Sequence, residues 1–311
     1  MAKPRNKLID YLQYSALRML GVIGSIFGLQ ENYRTARFLG DLVYRLDRRH
    51  RIRAVEHLRR SFPSWDEQRL QATARESFRH MMYLGVEMLF TPRMVTPYRW
   101  RRHIRLKGVA QFVRLLLRRE SPTIVITGHF GGWEVAGYTL AALGFRSVAL
   151  YRPLDNKYLD AYVRNVREHR GLRLLSKKGA TEELDGVLAA NMPVSFVADQ
   201  DAGRKGLYVD FFGRAASTYK APGLLAMQYD APVAVVTARR LEKPFTFEME
   251  LQRIIEPHEW AEADDPLRWI TRQYNKALED GIKKAPEQYL WVHRRWKHRP
   301  RGEQRGPDGI A

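Results

Sequence analysis

SPTIVITGHFGGWEVAGY, residues 121–138, decides the fold class of this chain. Its first part, residues 123–127, is a short run of mainly β-branched apolar residues, which is the composition of a buried strand. Three glycines follow between positions 128 and 132, where the backbone can take a positive φ or approach a ligand closely. From Trp133 onward the apolar composition predicts a helix. The stretch therefore predicts a strand, a tight turn and a helix in direct succession.

Two titratable residues, His129 and Glu134, fall in this turn and in the first turn of the helix. In an open α/β sheet, ligands bind beyond the carboxyl ends of the strands. A carboxylate that accepts a hydrogen bond from one imidazole nitrogen leaves the other nitrogen free as a base. We therefore expect Glu134 to orient His129, which would activate a hydroxyl for attack on an acyl group. The alternative is a capping histidine and a glutamate that interacts favourably with the helix dipole.

Five ordered blocks of the chain resemble one enzyme family. GHFGGWE resembles the H-x-x-x-x-[DE] block of glycerolipid-type acyltransferases, in the form found in the lipid A late acyltransferases and the related mycobacterial acyltransferase of phosphatidylinositol mannosides. Four later blocks are similar to that family's blocks in the same order: YRPLDN at 151–156, ADQD at 198–201, FFG at 211–213 followed by Ala216, Thr218 and Gly223, and WVHRRWK at 291–297. The resemblance covers roughly residues 10 to 300.

This resemblance implies a membrane-associated O-acyltransferase. The donor would be an acyl thioester of acyl carrier protein or CoA, and the acceptor a hydroxyl of a glycolipid such as a lipid A precursor. His129 and Glu134 would be the catalytic residues. No metal and no other cofactor is expected. The family also implies a peripheral or monotopic protein on the cytoplasmic face of the inner membrane.

Substrate-binding residues are expected at the same edge of the sheet. Arg152 directly follows a predicted strand, residues 147–151, and its guanidinium could bind phosphate or stabilise an oxyanion. A loop salt bridge with Asp155 is the alternative. Backbone amides near Gly131 and Gly132 are further candidate oxyanion donors.

Two carboxylates and two arginines complete the candidate site. Asp199 and Asp201 end a predicted strand, residues 194–198, and we expect Asp199 to be buried and paired with an arginine or with backbone amides. The resemblance implies that this block lies near the active site. Arg294 and Arg295 belong to an aromatic and basic final block that suits a membrane interface and a phosphate-bearing acceptor.

Composition excludes several classes of chemistry. The 311-residue chain has no cysteine, which rules out disulfides, a thiolate nucleophile and a cysteine zinc site. Its formal net charge of +19 would attract nucleic acid, an acidic membrane face or an acidic carrier protein, or would simply be a solvated surface. No dinucleotide-binding, P-loop or zincin motif is present.

The N-terminal region predicts contact with a membrane surface. Residues 8–29 are mostly apolar, but Gln13 and Arg18 leave a stretch that is too short to span a bilayer. No signal-peptidase site follows. We expect an interfacial helix over residues 1–30, with Tyr11 and Tyr14 at headgroup depth and lysines on anionic phosphates. A packed helix of a soluble domain is the alternative.

The rest of the chain divides into three parts. Residues 31–97 predict a helical region, including a densely basic helix at 48–62 that we expect not to be deeply buried. A hinge is predicted at 91–98. Residues 98–298 alternate short strands and helices, which predicts an α/β domain with a mostly parallel, helix-covered sheet. Residues 299–311 predict a disordered tail.

Two other functions are compatible with the sequence. Charge alone would suit a non-catalytic protein that binds anionic membrane or nucleic acid, although no specific nucleic-acid motif is present. A lipid-ester hydrolase could use the same histidine–carboxylate pair, with water in place of the acceptor hydroxyl.

Overall fold

The computed structural model describes residues 6–176 and 181–300. Most of the predicted tail and Lys3 lie outside these residues. The helices are α1 Lys7–Ile26, α2 Leu29–Leu46, α3 Arg48–Ser61, α4 Glu67–Met94, α5 Ala110–Arg118, α6 Trp133–Ala142, α7 Lys157–Glu168, α8 Thr181–Ala189, α9 Ala221–Gln228, α10 Pro257–Trp260 and α11 Pro266–Lys283. Single 3₁₀ turns occupy Trp100–Arg102 and Pro286–Gln288. The strands are β1 Ile104–Lys107, β2 Ile124–Thr127, β3 Ser147–Tyr151, β4 Leu172–Ser176, β5 Val194–Val197, β6 Leu207–Phe211, β7 Arg214–Thr218, β8 Val233–Arg240 and β9 Phe247–Ile255.

Seven of these strands form one sheet in the order β1-β9-β8-β2-β5-β3-β4. Neighbouring strands pair in parallel except β8 and β9, which form an antiparallel hairpin. Strands β6 and β7 form a separate antiparallel pair. Apolar side chains on both faces of β2 are buried beneath helices, which is the usual state of parallel sheets. The predicted fold class, a mostly parallel sheet covered by helices, is confirmed.

The N-terminal helices pack into the core of the sheet. Leu58 of α3 and Phe78 of α4 belong to the same buried cluster as Ile126 of β2. The prediction that α3 is not deeply buried is wrong, because Arg53 and His57 are buried on one face of it. The polar atoms of both side chains contact backbone carbonyls of the final sequence block. Arg53 donates to the carbonyl of residue 292 at 3.1 Å, and His57 Nδ1 lies 2.9 Å from the carbonyl of residue 291.

The helical region ends within residues 91–98, where the hinge is predicted. Helix α4 continues through Pro92 and ends at Met94. Its fully buried Glu87 accepts hydrogen bonds from Arg240 of β8, one of them at 2.7 Å. This buried ion pair fixes the C-terminal half of α4 to the edge of the sheet.

Helix α1 lies against α4 and α7 with much of its apolar surface exposed. The rings of Tyr11 and Tyr14 pack on Tyr158 of α7, so these tyrosines hold α1 to the domain. Across the described ranges, no helix is long and apolar enough to cross a membrane.

Candidate active site

The loop that follows β2 is held rigidly between two neighbouring segments. The Gly131 N–H donates to the Gln288 carbonyl at 3.1 Å, and the Gly132 N–H donates to the Ala238 carbonyl at 2.7 Å. Gly131 has a φ of +54°, and a Cβ added there would lie 1.9 Å from the carbonyl oxygen of Ala238. Glycine is therefore required at this position because strand β8 passes directly against the loop.

These same hydrogen bonds correct one prediction. The amides of Gly131 and Gly132 were expected as oxyanion donors, but both already donate to backbone carbonyls. A backbone N–H has a single hydrogen to donate. The two glycines therefore serve the close approach of the loop to β8 rather than the binding of an oxyanion.

His129 is paired with Asp199. His129 Nδ1 lies 2.8 Å from Asp199 Oδ1, and the backbone N–H of His129 donates to Oδ2 at 2.8 Å. Strands β2 and β5 are parallel neighbours, with Thr127 opposite Val197, so the residues that follow them meet at one edge of the sheet. The expectation that Asp199 is buried and bonded to a backbone amide is confirmed, since only 2% of its side chain is exposed.

The electrostatics of this pair favour a charged carboxylate and a more basic imidazole. Burial alone would lower the pKa of His129, but the charge and hydrogen bond of Asp199 outweigh it and raise the pKa above its usual value. For Asp199, burial acts to raise the pKa, but the charge and hydrogen bonds of His129 lower it overall. Asp199 therefore holds the Nδ1 proton and leaves Nε2 as the basic nitrogen.

Glu134 does not orient His129, contrary to the prediction. Its carboxylate forms a two-pronged ion pair with Arg167 of α7, with Arg167 Nε 2.9 Å from Oε2 and Nη2 bonded to Oε1. The Nδ1 position that Glu134 would need is already taken by Asp199. Glu134 still acts at a distance, because its negative charge contributes to the raised pKa of His129.

Three residues near His129 were given no role by the sequence analysis. Gln200 Nε2 lies 3.2 Å from His129 Nε2, so the Gln200 amide donates to the basic nitrogen. The ring of Trp133 packs edge-on against His129, with 5.1 Å between ring centroids. His293 is held neutral, because burial above all lowers its pKa to about 4. Gln200 and His293 lie inside two of the blocks that resemble the family, so this resemblance could have identified them as site residues.

An apolar cavity of about 590 Å³ opens beside His129. Its polar end includes His129, Arg152 and Gln200. Its other walls are formed mainly by apolar side chains of α6, α4 and the sheet, among them Leu84, Met88, Leu140, Val125, Leu172, Val236 and Met249. Arg152 thus lies at the sheet edge shared with His129, as predicted, and its side chain is exposed. The size and lining of the cavity suit a long hydrocarbon chain that ends next to the imidazole.

The other predicted binding residues do not line this cavity. Asp201 accepts hydrogen bonds from His298 Nδ1 at 2.7 Å and from the Gly203 N–H at 3.2 Å. Arg295 is only 1% exposed and donates to the carbonyl of Gln200 at 3.2 Å and to Thr218 Oγ1 at 2.7 Å. Arg294 is exposed and lies outside the cavity lining. The prediction that Arg295 binds substrate is wrong, because its donors bind the protein's own loop and strand.

Within residues 6–176 and 181–300, no group of three or more histidine, aspartate or glutamate side chains is arranged to hold a metal ion. A base fixed by a buried carboxylate at the end of a hydrocarbon-sized cavity defines a site of the acyl-transfer class.

Comparisons with known proteins agree with this class. The chain belongs to the bacterial lipid A biosynthesis acyltransferase family, whose model matches residues 3–298. It is 27% identical to the lipid A biosynthesis palmitoleoyltransferase of Escherichia coli (strain K12), over 83% of this chain and 82% of that protein. It is 27% identical to the lipid A biosynthesis lauroyltransferase of the same strain, over 87% and 86%. The family expectation is thus confirmed, and the protein is an acyltransferase.

A solved structure also overlaps most of the chain. The 1-acyl-sn-glycerophosphate acyltransferase PlsC from Thermotoga maritima covers 81% of this chain and 94% of its own, at 12% sequence identity and a TM-score of 0.35.

Proposed function

We propose that this protein transfers a fatty acyl chain from an acyl thioester to a hydroxyl of a lipid A precursor. The observation that carries the proposal is the His129–Asp199 pair at the polar end of the apolar cavity. The acyl chain would lie in the cavity, with its thioester carbonyl near His129 Nε2. The relatives' names, which specify transfer of palmitoleoyl and lauroyl groups in lipid A biosynthesis, support this choice of substrate class.

The reaction needs one base that later acts as an acid. Nε2 of His129 removes the proton from the acceptor hydroxyl as its oxygen attacks the thioester carbonyl. Asp199 stabilises the imidazolium that forms. When the tetrahedral intermediate collapses, the carbon–sulfur bond breaks, and the imidazolium returns the proton to the leaving thiolate. The products are an ester and a free thiol, and the enzyme is regenerated.

Two side chains can stabilise the oxyanion of the intermediate. The Gln200 amide already donates toward Nε2, so it would have to turn from the imidazole to the substrate when the acceptor binds. Arg152 lies at the same polar end and carries a permanent positive charge. Glu134, held by Arg167, adds negative charge near His129 and so favours the protonated imidazole. Gln200 and Arg152 thus replace the amides of Gly131 and Gly132 as the proposed oxyanion donors.

The surface of the N-terminal helices supports peripheral attachment to a membrane. Apolar side chains along α1 are largely exposed, including Leu8, Leu12, Met19, Leu20, Val22 and Ile26. A helix of this kind can bury its apolar face at the headgroup boundary. We place the protein on the cytoplasmic face of the inner membrane, where acyl thioesters are available. Its net charge of +19 would attract both anionic lipid and an acidic carrier protein.

Mass spectrometry of lipid extracts tests the proposal. Cells that lack the gene, and cells that carry only His129→Ala, should both accumulate a glycolipid that is lighter by one acyl chain. Purified wild-type protein given an acyl thioester and that glycolipid should restore the missing chain. Release of free fatty acid without acylated glycolipid would identify a hydrolase instead. An unchanged lipid profile in both strains would point to a binding protein without this activity.

A further inference from the structure

A second cavity, of about 1100 Å³, lies between α2, the segment 101–105, the loop that joins β8 to β9, and residues 284–288. Its wall includes Gln288, whose carbonyl accepts the hydrogen bond of Gly131. Nine lysine and arginine residues line it, against three glutamates. One of those glutamates, Glu76, is bonded to Arg79. The cavity is therefore strongly positive, and it shares Gln288 with the hydrogen bonds that hold the catalytic loop.

Most of the cationic side chains in this cavity have no carboxylate partner among the residues that the structure describes. Within the described ranges, no ion pair is formed by Arg37, Arg101, Arg102, Arg105 or Lys243. The other four form ion pairs, such as Arg239 with Glu248 at 2.7 Å. Unpaired cations that converge on one concave space repel one another and are stabilised by a bound anion.

The walls of the cavity are held in place without a ligand. The loop between β8 and β9 is fixed by His103, whose Nδ1 lies 3.1 Å from the Phe245 carbonyl and whose own carbonyl accepts from the Phe247 N–H at 2.7 Å. On the other wall, Arg240 is anchored by the buried Glu87. A preformed cavity loses less conformational entropy on binding than one that must be ordered first.

The opening of the cavity adjoins an apolar surface. On α2, Arg34 and Arg37 line the cavity. On the same helix, Phe38 directly follows Arg37 and is 66% exposed. Cationic residues beside exposed apolar ones are the pattern of a helix that lies at the headgroup depth of a membrane. The cavity is thus positioned to receive the headgroup of a lipid.

We propose that this cavity binds a phosphomonoester on the headgroup of the glycolipid acceptor. This inference rests on the proposed function, since it assigns the phosphate of the acceptor to the basic cavity and the acyl donor to the apolar one. The apolar cavity takes the acyl chain, so the thioester must approach His129 from that side. The basic cavity and the catalytic loop share Gln288, so a headgroup held there by its phosphate would extend its sugar past Gln288 toward His129.

Binding can be measured without any acyl transfer. Isothermal titration would use dihexanoyl phosphatidic acid, a short-chain lipid phosphomonoester, beside dihexanoyl phosphatidylcholine and inorganic phosphate. The test variant is Arg102→Glu with Arg105→Glu, two exposed residues of the cavity. The control is Arg114→Glu with Arg118→Glu on α5, which changes the net charge equally and lines neither cavity. Thermal unfolding would verify that both double variants are folded.

We expect wild type and control to bind phosphatidic acid alike and the cavity variant to bind it at least about tenfold more weakly. Phosphatidylcholine should bind weakly to all three. Equal binding of phosphatidic acid by the cavity variant and the wild type would overturn the proposal. Inorganic phosphate that binds as tightly as phosphatidic acid would overturn the assignment to a lipid and indicate a soluble phosphate as the ligand.

A kinetic experiment connects the cavity to the reaction. For a phosphorylated lipid A precursor, the cavity variant should show a KM about tenfold higher with an unchanged KM for the acyl thioester. The same precursor treated with a phosphatase should give equal KM values for variant and wild type. If no precursor is acylated but phosphatidic acid binding still depends on Arg102 and Arg105, the proposed function fails and the phosphate site stands.

Discussion

Asp199 accepts two hydrogen bonds from His129, one from ring Nδ1 and one from the backbone N–H, each at 2.8 Å. Each oxygen of this buried carboxylate thus accepts a hydrogen bond from the same residue. The backbone contact fixes the position of the loop, and the ring contact fixes the tautomer and orientation of the imidazole.

Asp199→Asn should reduce acyl transfer by about 10³- to 10⁴-fold, because an amide can neither stabilise the imidazolium nor secure the correct tautomer. Asp199 raises the pKa of His129, so its removal should lower that pKa. A base works only when deprotonated, so the acid limb of the residual kcat/KM profile should move to lower pH. A profile that keeps its acid limb in place would show that Asp199 does not set the basicity of His129.

Glu134→Gln should reduce activity less than Asp199→Asn, because Glu134 pairs with Arg167 and not with the imidazole. Arg167 lowers the pKa of His129 while Glu134 raises it, so the two substitutions should partly compensate. A double-mutant cycle with Arg167→Gln should therefore show a coupling of about 0.5 kcal/mol or more in kcat/KM. If the effects of the two substitutions on kcat/KM simply add, the pairing of Glu134 with Arg167 does not influence His129 as assigned.

Gly131→Ala should lower the free energy of unfolding by at least about 2 kcal/mol, because its Cβ would lie 1.9 Å from the Ala238 carbonyl at a positive φ. The matched control is Gly85→Ala in the middle of α4, where an added Cβ meets nothing within 4 Å. That substitution should raise stability by about 0.5–1 kcal/mol. Chemical denaturation measures both, and similar effects of the two changes would argue against the close approach of loop and strand.

Gly137→Leu should shift the preference of the enzyme to shorter acyl chains. Gly137 of α6 lines the apolar cavity, and a Cβ added there meets nothing within 4 Å, so the new side chain can project into the space. Each methylene excluded from the cavity forfeits about 0.8 kcal/mol. Competition between thioesters of different length measures the shift, with Gly85→Leu outside the cavity as the control. An unchanged chain-length profile would mean that the acyl chain lies elsewhere.

His80→Gln should make stability less dependent on pH. Burial, together with the charges of Arg240 and Arg79, lowers the pKa of His80 to about 2. Below the unfolded pKa of about 6.5, the unfolded chain therefore binds a proton that the folded protein does not, and stability falls with falling pH. Between pH 7 and 5, the free energy of unfolding of the wild type should fall by about 2 kcal/mol more than that of His80→Gln. If urea titrations show that both proteins lose the same free energy of unfolding over this pH range, groups other than His80 cause the pH dependence.

The local pattern of strands and helices was predictable because short-range information determines it. Strand β3 was predicted with its observed ends, and β2 and α6 within one residue of theirs. Local sequence patterns led to a wrong prediction where contacts between residues distant in sequence determine the structure. Basic residues predicted an exposed α3, yet backbone carbonyls near the C-terminus accept hydrogen bonds from two of them and allow that face to be buried.

By itself, the sequence determined the parallel α/β fold, the placement of His129 in the turn after β2, and membership of the acyltransferase family. Only the tertiary structure decided which carboxylate serves His129. Glu134 is five residues away along the chain, but it points to Arg167, whereas Asp199 is seventy residues away and follows the adjacent strand. The reason is that strand order brings β5 next to β2, and such long-range pairing cannot be read from residue spacing.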